Sequence, residues 1–226
     1  MVHKIVYNRF RVFVESFLLA CVILLVGFSL GFFVENYRTS KVIADYRANE
    51  IESLDLKLQN YYYQIMDQSS CDSAIEQNFV FADKIYLEGL NIEKFEEMNQ
   101  ISEDIKIEKK KYVLLKTELW LNTLLLKEKC NADFDIAVYF YSSDPSDTVK
   151  VAEQKILSNV LKEIKEERGN KLVLIPLAGD LDLQIVDLQM KNYKITELPS
   201  ILINEKNILI GFNSKENIEK YLSSSK

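Results

Sequence analysis

Histidine is almost absent from this chain, and its scarcity excludes several kinds of site. The only histidine is His3, which precedes a long hydrophobic run. Ser-His and Cys-His catalytic pairs are therefore excluded from the rest of the chain. Two cysteines outside the hydrophobic run, with no histidine there, do not suit a zinc site, and the sequence has no phosphate-binding loop and no glycine-rich turn. We therefore expect no metal site and no cofactor.

Glycine, proline and positive charge are also scarce. The chain has six glycines and three prolines, which leaves little room for flexible linkers. Lysine and arginine together number 28 against 34 aspartates and glutamates, so the net charge is −6. An acidic balance of this kind argues against nucleic acid or anionic lipid as the main partner.

One long uncharged run lies near the N-terminus. Residues 17–34 read FLLACVILLVGFSLGFFV, and apolar residues from position 12 extend the run. A helix of this size covers roughly 27 Å, close to the thickness of a bilayer core. The run is longer than the apolar core of a cleaved signal peptide, about 7–15 residues, and no small-residue cleavage site follows it. We predict an uncleaved signal-anchor in residues 1–35, with residues 12–34 in the lipid bilayer.

The basic residues flanking this run predict its orientation. Three precede it and three follow it: Lys4, Arg9, Arg11, Arg38, Lys41 and Arg47. Acidic residues dilute the second group, and a short basic tail before a first span favours a cytoplasmic N-terminus. We therefore predict a single-pass membrane protein whose soluble part is extracytoplasmic.

Residues 36–130 have the hydrophobic spacing of coiled-coil helices. Two long seams step by three and four residues, with a shorter helical stripe between them. The first seam is Ile51, Leu54, Leu58, Tyr61 and Ile65, and the second is Ile101, Ile105, Tyr112, Leu115, Leu119 and Leu126. We predict an all-α, coiled-coil-like stalk or hairpin that packs on itself. Homodimerisation through the stalk is the alternative.

Two of the three cysteines lie at the ends of predicted helices. Cys71 follows the first helix and Cys130 ends the last, whereas Cys21 lies in the apolar run as a filler. An extracytoplasmic location permits a disulfide. We predict a Cys71–Cys130 bridge, which requires a helix register that brings the Cα atoms within about 4.4–6.8 Å. Two unrelated thiols are the alternative.

From residue 131 onward the pattern changes to strands and short helices. Residues 134–141 (FDIAVYFY) and 171–177 (KLVLIPL) are rich in branched and aromatic residues, as buried strands are. The helix between them predicts that these two strands are parallel. A helix near 181–193, a hairpin of strands at 201–203 and 208–211, and a helix capped by Ser214 complete the order β-α-β-α-β-β-α.

This order, with Pro199 directly before the third strand, resembles the thioredoxin fold. Residues 193–222, YKITELPSILINEKNILIGFNSKENIEKYL, carry most of the resemblance. Thioredoxin-like proteins have a cis-proline at this position. The cis form of a peptide bond has a low free-energy cost chiefly when the next residue is proline. The resemblance implies an α/β thioredoxin-like domain over residues 131–226. The whole layout is similar to that of membrane-anchored thioredoxin-like proteins of prokaryotes.

The loop after the first strand departs from the redox-active members of this fold. Those members carry Cys-x-x-Cys at a helix N-terminus, which lowers the pKa of the first thiol. Here the loop reads Ser143-Asp144-Pro145-Ser146, with serine at both cysteine places. A serine hydroxyl cannot exchange with a disulfide, so we do not expect redox chemistry at this loop.

The resemblance still implies a binding role. Redox-active relatives hold an extended peptide by backbone hydrogen bonds against the residue before the proline. By resemblance, the corresponding groove is lined by Ser143, Pro145, Ser146, Leu198 and Pro199. The predicted function is binding of a protein or peptide partner outside the membrane. The alternative is a thiol-disulfide oxidoreductase, or its accessory subunit, that uses Cys71 and Cys130.

We predict structural roles for two pairs of aspartates and for the single tryptophan. Asp180 and Asp182 precede the second helix of the α/β region, and Asp144 and Asp147 precede the first, so we predict that they act as N-terminal caps. Trp120 is predicted to lie in the core of the stalk or between the stalk and the thioredoxin-like domain.

Overall fold

A computed structural model describes residues 9–98, 103–144 and 146–222 of the chain. Within its helices, residues 9–11, 35–53, 87–98, 103–106 and 108 are described by their backbone alone. The helices are α1 (Arg9–Ile65), α2 (Cys71–Met98), α3 (Glu103–Cys130), α4 (Thr148–Arg168), α5 (Gln184–Asn192) and α6 (Lys215–Glu219). The strands are β1 (Asp135–Tyr141), β2 (Leu172–Ala178), β3 (Ser200–Ile203) and β4 (Asn207–Ile210). By their contacts, the residues fall into two units, Met1–Glu52 and Ser53–Lys226.

The first unit contains the apolar run. Val12–Val34 is a helical segment of 23 residues with a mean hydropathy of 2.8, and none of it is buried. By length and composition this segment is able to cross a membrane, as the sequence predicts. His3 and Lys4 lie outside the described residues, and the orientation of the segment stays a prediction.

The second unit is built on a four-stranded sheet in the order β2-β1-β3-β4. β1 and β2 are parallel, in a register that pairs Asp135 with Leu172 and Tyr141 with Ala178. β3 is antiparallel to both β1 and β4, and Ser200 faces Phe140 on one side and Ile210 on the other. The predicted element order, the parallel first pair and the closing hairpin are therefore confirmed.

The sheet is covered on both faces because its central strand β1 is apolar on both. Ala137 and Tyr139 point to a core shared with the buried residues of α4 and α6, such as Leu161 and Ile218. The alternate residues of β1 point to a second core, which includes Val186 of α5. A strand buried on both sides in this way reads as a continuous apolar run instead of an alternating one.

Helices α2 and α3 contribute buried residues to this second core. Phe79 of α2 and Val113 and Trp120 of α3 belong to the same buried cluster as Ile136 and Phe140 of β1. The sequence interpretation treated residues 36–130 as a stalk apart from the sheet. The structure instead joins the part from Ser53 onward to the sheet in one unit, because the sheet needs a cover on that face.

The two predicted seams have opposite outcomes. In the second seam Tyr112, Leu115, Leu119 and Leu126 are all buried, so the predicted packing within the chain is confirmed there. In the first seam Leu54, Leu58, Tyr61 and Ile65 are all exposed, and the prediction that this seam packs on its own chain is wrong. The inner face of α1 carries Leu56 and Tyr63 instead, and Met66, directly after the helix, is buried as well. Ile101 and the side chains of Ile51 and Ile105 lie outside the described residues.

The predicted disulfide between Cys71 and Cys130 is present, with a Cα–Cα distance of 5.6 Å. Its geometry follows from two helices of equal length, because α2 and α3 have 28 residues each. Contacts between Asn78 and Thr123 and between Ile85 and Tyr112 make the pair antiparallel. The first residue of α2 therefore meets the last residue of α3. Helix α2 continues through Gly89 to Met98.

Candidate binding site

Three connections of the second unit meet at one edge of the sheet. β1 and β2 are parallel and end there, and β3, which is antiparallel to β1, begins there. We use the name loop cluster for residues 142–144 and 146 after β1, residues 179–180 after β2, and residues 198–199 before β3. The N–H of Gly179 donates to the Tyr141 carbonyl oxygen at 2.9 Å, which joins the first two connections.

The carboxylate of Asp180 holds the loop that follows β1. It accepts hydrogen bonds from the hydroxyl groups of Ser142 at 2.6 Å and Ser143 at 2.7 Å. It also accepts from the backbone N–H of Ser143 at 2.8 Å and of Asp144 at 3.3 Å. Four donors from three consecutive residues thus converge on one carboxylate. The carboxylate of Asp180 therefore determines the conformation of this loop.

The same contacts explain the acidity of the two aspartates in the loop cluster. Partial burial disfavours the charged form of Asp180, but the hydrogen bonds from Ser142, Ser143 and Asp144 together outweigh that effect and lower its pKa. The pKa of Asp144 is also lowered, because the backbone N–H and the hydroxyl of Ser146 both donate to it. Both carboxylates are therefore charged at neutral pH.

The predicted helix caps are partly wrong. Asp147 is the N-cap of α4 and accepts from the backbone N–H of Lys150 at 3.0 Å, as predicted. Asp144 instead accepts from the N–H and hydroxyl of Ser146, at 2.9 and 2.8 Å. The N-cap residue of α5 is Leu183, with no capping side chain. Asp180 is thus occupied by the loop after β1 and does not cap α5.

Helix α4 also holds the loop that follows β1. The buried side chain of Gln154 accepts from the Ser142 N–H at 2.6 Å and donates to the Ser142 carbonyl oxygen at 3.0 Å. The preceding residue, Glu153, accepts from the backbone N–H of Phe212 at 2.8 Å. The two neighbouring residues of α4 therefore hold the end of β1 and the end of β4.

Leu198 and Pro199 form the part of the loop cluster that precedes β3. The peptide bond between them is cis, Pro199 is buried, and Leu198 is half-buried. A Cβ placed on Gly179 would lie 3.0 Å from the Met190 sulfur and 3.2 Å from the Leu198 methyl groups. A side chain at position 179 would therefore require Met190 or Leu198 to shift by a few tenths of an ångström, because the connection after β2 runs directly against Leu198.

Exposed apolar side chains lie beside the loop cluster. Phe212 and Ile210 are about half exposed, and Val149, one turn before Glu153 on α4, is 77 % exposed. The contact between Glu153 and the Phe212 backbone brings these two elements together. Large exposed apolar residues next to a loop rich in polar groups are typical of protein interaction sites.

Four of the five predicted groove residues lie in the loop cluster, and Asp180, predicted only as a helix cap, links Ser143 to the connection that packs against Leu198. Ser143 bonds to Asp180, and Asp180 follows Gly179, which packs against Leu198. Ser146 is bound to Asp144, and Pro145 lies outside the described residues. The signal for Asp180 was available: an acid two residues after the end of the second of two parallel strands, beside a serine-rich loop after the first.

We expect Asp180→Asn to reduce the stability of the second unit by about 1 kcal/mol at pH 7. The amide cannot accept four hydrogen bonds as a carboxylate does, and the exposure of Asp180 to water keeps the loss small. Because the folded state lowers the pKa of Asp180, its contribution is present above the unfolded-state pKa of about 4 and disappears as pH falls through the folded-state value. Urea unfolding of wild type and variant at several pH values measures this, and the difference should shrink below about pH 4.

Asp182→Asn is the matched control for this experiment. It removes the same charge at an exposed position two residues along the chain, and it should change stability by no more than about 0.5 kcal/mol. An Asp180→Asn variant as stable as the Asp182→Asn variant at pH 7 would contradict the role assigned to Asp180.

Comparison with known proteins gives similarity to solved structures alone. No protein-family model matches the chain, and no curated protein matches it. A chain titled "Structure of a malarial protein" has 17 % identity and a TM-score of 0.30, and the match covers 40 % of this chain and 99 % of that one. Chloroplastic thioredoxin z has 17 % identity and a TM-score of 0.32, over 43 % of this chain and 83 % of its own. Part of this chain is thus similar to a thioredoxin-like structure, at low identity and low TM-score.

Proposed function

We propose that this chain is a membrane-anchored, redox-inactive thioredoxin-like module that binds an extended protein or peptide segment outside the membrane. The element order β-α-β-α-β-β-α and the strand directions support the thioredoxin-like part of the proposal. The 23-residue apolar segment Val12–Val34 supports the anchor. The proposed orientation, with a cytoplasmic N-terminus, rests on the flanking basic residues.

The observation that carries the proposal is the bonding of the Ser142–Asp144 loop to Asp180. In redox-active members of this fold, a thiol at the helix start must be accessible as a nucleophile. Here Ser143 stands at the first of the two cysteine places, and its hydroxyl donates to Asp180 at 2.7 Å. This loop therefore presents a surface that is held by internal hydrogen bonds and contains no thiol. Such a surface suits binding better than exchange chemistry.

The neighbouring groups suit an extended segment. A peptide laid against the backbone at Leu198 would add main-chain hydrogen bonds, as in β-strand addition. Its side chains would meet the exposed apolar residues Val149, Ile210 and Phe212 on one side. The two charged carboxylates of Asp144 and Asp180 on the other side favour a basic or polar residue at that end of the peptide.

A second candidate function uses Cys71 and Cys130 as a redox pair. It is favoured by the position of Cys71 as the first residue of α2, because a helix N-terminus stabilises a thiolate. It is opposed by the location of both cysteines against a buried cluster that includes Tyr63, Met66 and Leu126, where the bridge is partly buried. We therefore rank this function below binding.

The binding proposal is tested with Ser146→Trp, which fills the space beside the loop cluster. An array of short extended peptides with alternating apolar and polar residues is probed with the full chain in detergent micelles. Peptides that bind the wild type should bind Ser146→Trp at least about tenfold more weakly, a loss of about 1.4 kcal/mol. Lys206→Trp is the matched control, because Lys206 is exposed in the turn at the opposite end of β3.

Two outcomes would contradict the proposal. The first is an array on which no peptide binds the wild-type chain. The second is a set of peptides whose binding weakens equally in Ser146→Trp and Lys206→Trp, since that result would place the contact surface away from the loop cluster.

A further inference from the structure

Helix α1 has two apolar faces in the second unit, and its own chain covers only one of them. Leu56 packs in a cluster with Phe81 and Leu119, and Tyr63 packs in a cluster with Leu126. The opposite face is formed by the outer seam, which we define as Leu54, Leu58, Tyr61 and Ile65. These four residues are 55 %, 65 %, 66 % and 80 % exposed.

We propose that the outer seam is the interface for a second copy of this chain, in a parallel two-stranded coiled coil. The parallel sense rests on the proposed membrane anchor. Each copy would leave the same membrane surface through the same residues, so their outer seams would begin at the same distance from it along the chain. The existence of the interface rests on the exposed seam itself and not on the anchor.

The spacing of the outer seam is that of a coiled coil. Leu58 and Ile65 take the a positions and Leu54 and Tyr61 the d positions, in steps of four, three and four residues. β-Branched residues at a with leucine at d favour two parallel strands, and Ile65 at an a position and Leu54 at a d position fit this preference. In that arrangement Lys57 at a g position faces Tyr62 of the other copy at an e position, where a lysine amine can lie over a tyrosine ring.

The exposed area is large enough for a specific dimer. Besides the outer seam, Tyr62 is half exposed on the same side of α1. A tyrosine side chain can bury roughly 150–250 Å², so these five half- to four-fifths-exposed side chains offer on the order of 500 Å² per copy. Two copies would bury about 1,000 Å², which is the lower bound for a specific protein–protein interface.

The chain's own contacts prevent α1 from turning this face inward. The Asn60 amide donates to Asn122 of α3, and Asn122 in turn donates to the Leu56 carbonyl oxygen. The amine of Lys129 donates to the carbonyl oxygens of Tyr63 and Gln64 at the end of α1. Rotating α1 would break these bonds and expose Leu56 and Tyr63, so a second chain is the means by which the outer seam is buried.

The proposal is tested by cysteine cross-linking of the full chain in its membrane. Leu54→Cys, Leu58→Cys, Tyr61→Cys and Ile65→Cys are made one at a time in a Cys21→Ala background, in which the native bridge occupies the other two cysteines. After mild oxidation, each should give a covalent dimer on a non-reducing gel, and dithiothreitol should reverse it. Lys162→Cys on the exposed face of α4 is the control for random collision and should stay at least about tenfold less cross-linked.

Three outcomes would overturn the proposal. Seam cysteines that cross-link no more than Lys162→Cys would exclude the interface. A covalent product of a mass other than twice the chain would identify a different partner as the occupant. Strong cross-linking at one seam position alone would indicate an antiparallel crossing instead of a parallel coiled coil.

The anchor is tested separately on the same membranes. Extraction with alkaline carbonate should leave the chain in the pellet. A chain that is extracted but still cross-links at the seam would refute the anchor and keep the dimer. A chain that stays in the pellet and does not cross-link would refute the dimer and keep the anchor.

Discussion

Replacing Cys71 and Cys130 together with alanine should lower the free energy of unfolding of the second unit by about 4 kcal/mol. The bridge joins residues 59 positions apart, and a cross-link of this span removes much of the conformational freedom of the unfolded chain. For a unit of this size the loss corresponds to a fall in Tm of roughly 10 °C. Thermal unfolding of the full chain in detergent, followed by circular dichroism, measures it.

Cys21→Ala is the control, because Cys21 is not part of the bridge and lies in the first unit. It should leave the unfolding of the second unit unchanged. Reductant should lower the Tm of the wild type by about as much as the double substitution does, and it should have no further effect on the double variant. A double variant within about 1 kcal/mol of the wild type would contradict a structural role for the bridge.

The ease with which the Cys71–Cys130 bridge is reduced distinguishes the proposed function from the redox alternative. Labelling of the same cysteines reports the side of the membrane. A structural bridge resists reduction by glutathione, whereas a redox pair equilibrates reversibly near the potential of its compartment, roughly −200 mV in an oxidising one. On intact cells, a membrane-impermeant maleimide should label Cys71 and Cys130 only after reductant. Labelling that needs cell lysis and no reductant would contradict both the orientation and the bridge.

The parts of this structure that depend on local pattern were predictable. The apolar helix, the order of strands and helices after residue 131, and the parallel pairing of β1 and β2 follow from runs and spacings that a single segment contains. The disulfide was predicted as well, and the length of α2 that allows it was not evident from the sequence. Gly89 reads as a helix breaker, yet in a helix interior glycine costs only about 1 kcal/mol relative to alanine, and α2 continues through it.

The parts that depend on which surfaces meet were not predictable from the spacing of one helix. α3 carries Leu115 and Leu119 toward a cluster with α1 and α2, and Val113 and Trp120 toward the sheet. A heptad pattern predicts the burial of only one of these two faces. Asp180 was missed for a similar reason, because its partners Ser142 and Ser143 lie more than 30 residues earlier in the chain, while α5 lies directly after it and invited the interpretation as a cap.

Trp120→Ala tests whether α3 and the sheet form one core, and we expect it to cost about 4 kcal/mol. The side chain is fully buried. Its ring lies 6.0 Å from that of Phe140 in β1, edge to face, and 5.8 Å from that of Tyr193 after α5. The indole N–H donates to the Glu205 carboxylate at 3.3 Å, in the turn between β3 and β4. One residue of α3 therefore contacts three separate parts of the α/β region, and its removal leaves a cavity among them.

Two further variants make this test specific. Trp120→Phe keeps a ring in the core but removes the donor to Glu205, a carboxylate whose pKa burial already raises, and we expect it to cost about 1–2 kcal/mol. Leu114→Ala changes an exposed residue of the same helix and should cost no more than about 0.5 kcal/mol. Unfolding in urea should stay a single transition that moves to lower urea in the order Leu114→Ala, Trp120→Phe, Trp120→Ala. If Trp120→Ala instead split the transition in two, with the sheet retaining wild-type stability, α2 and α3 would be an independent stalk, since a cavity within a shared core must weaken every element that lines it.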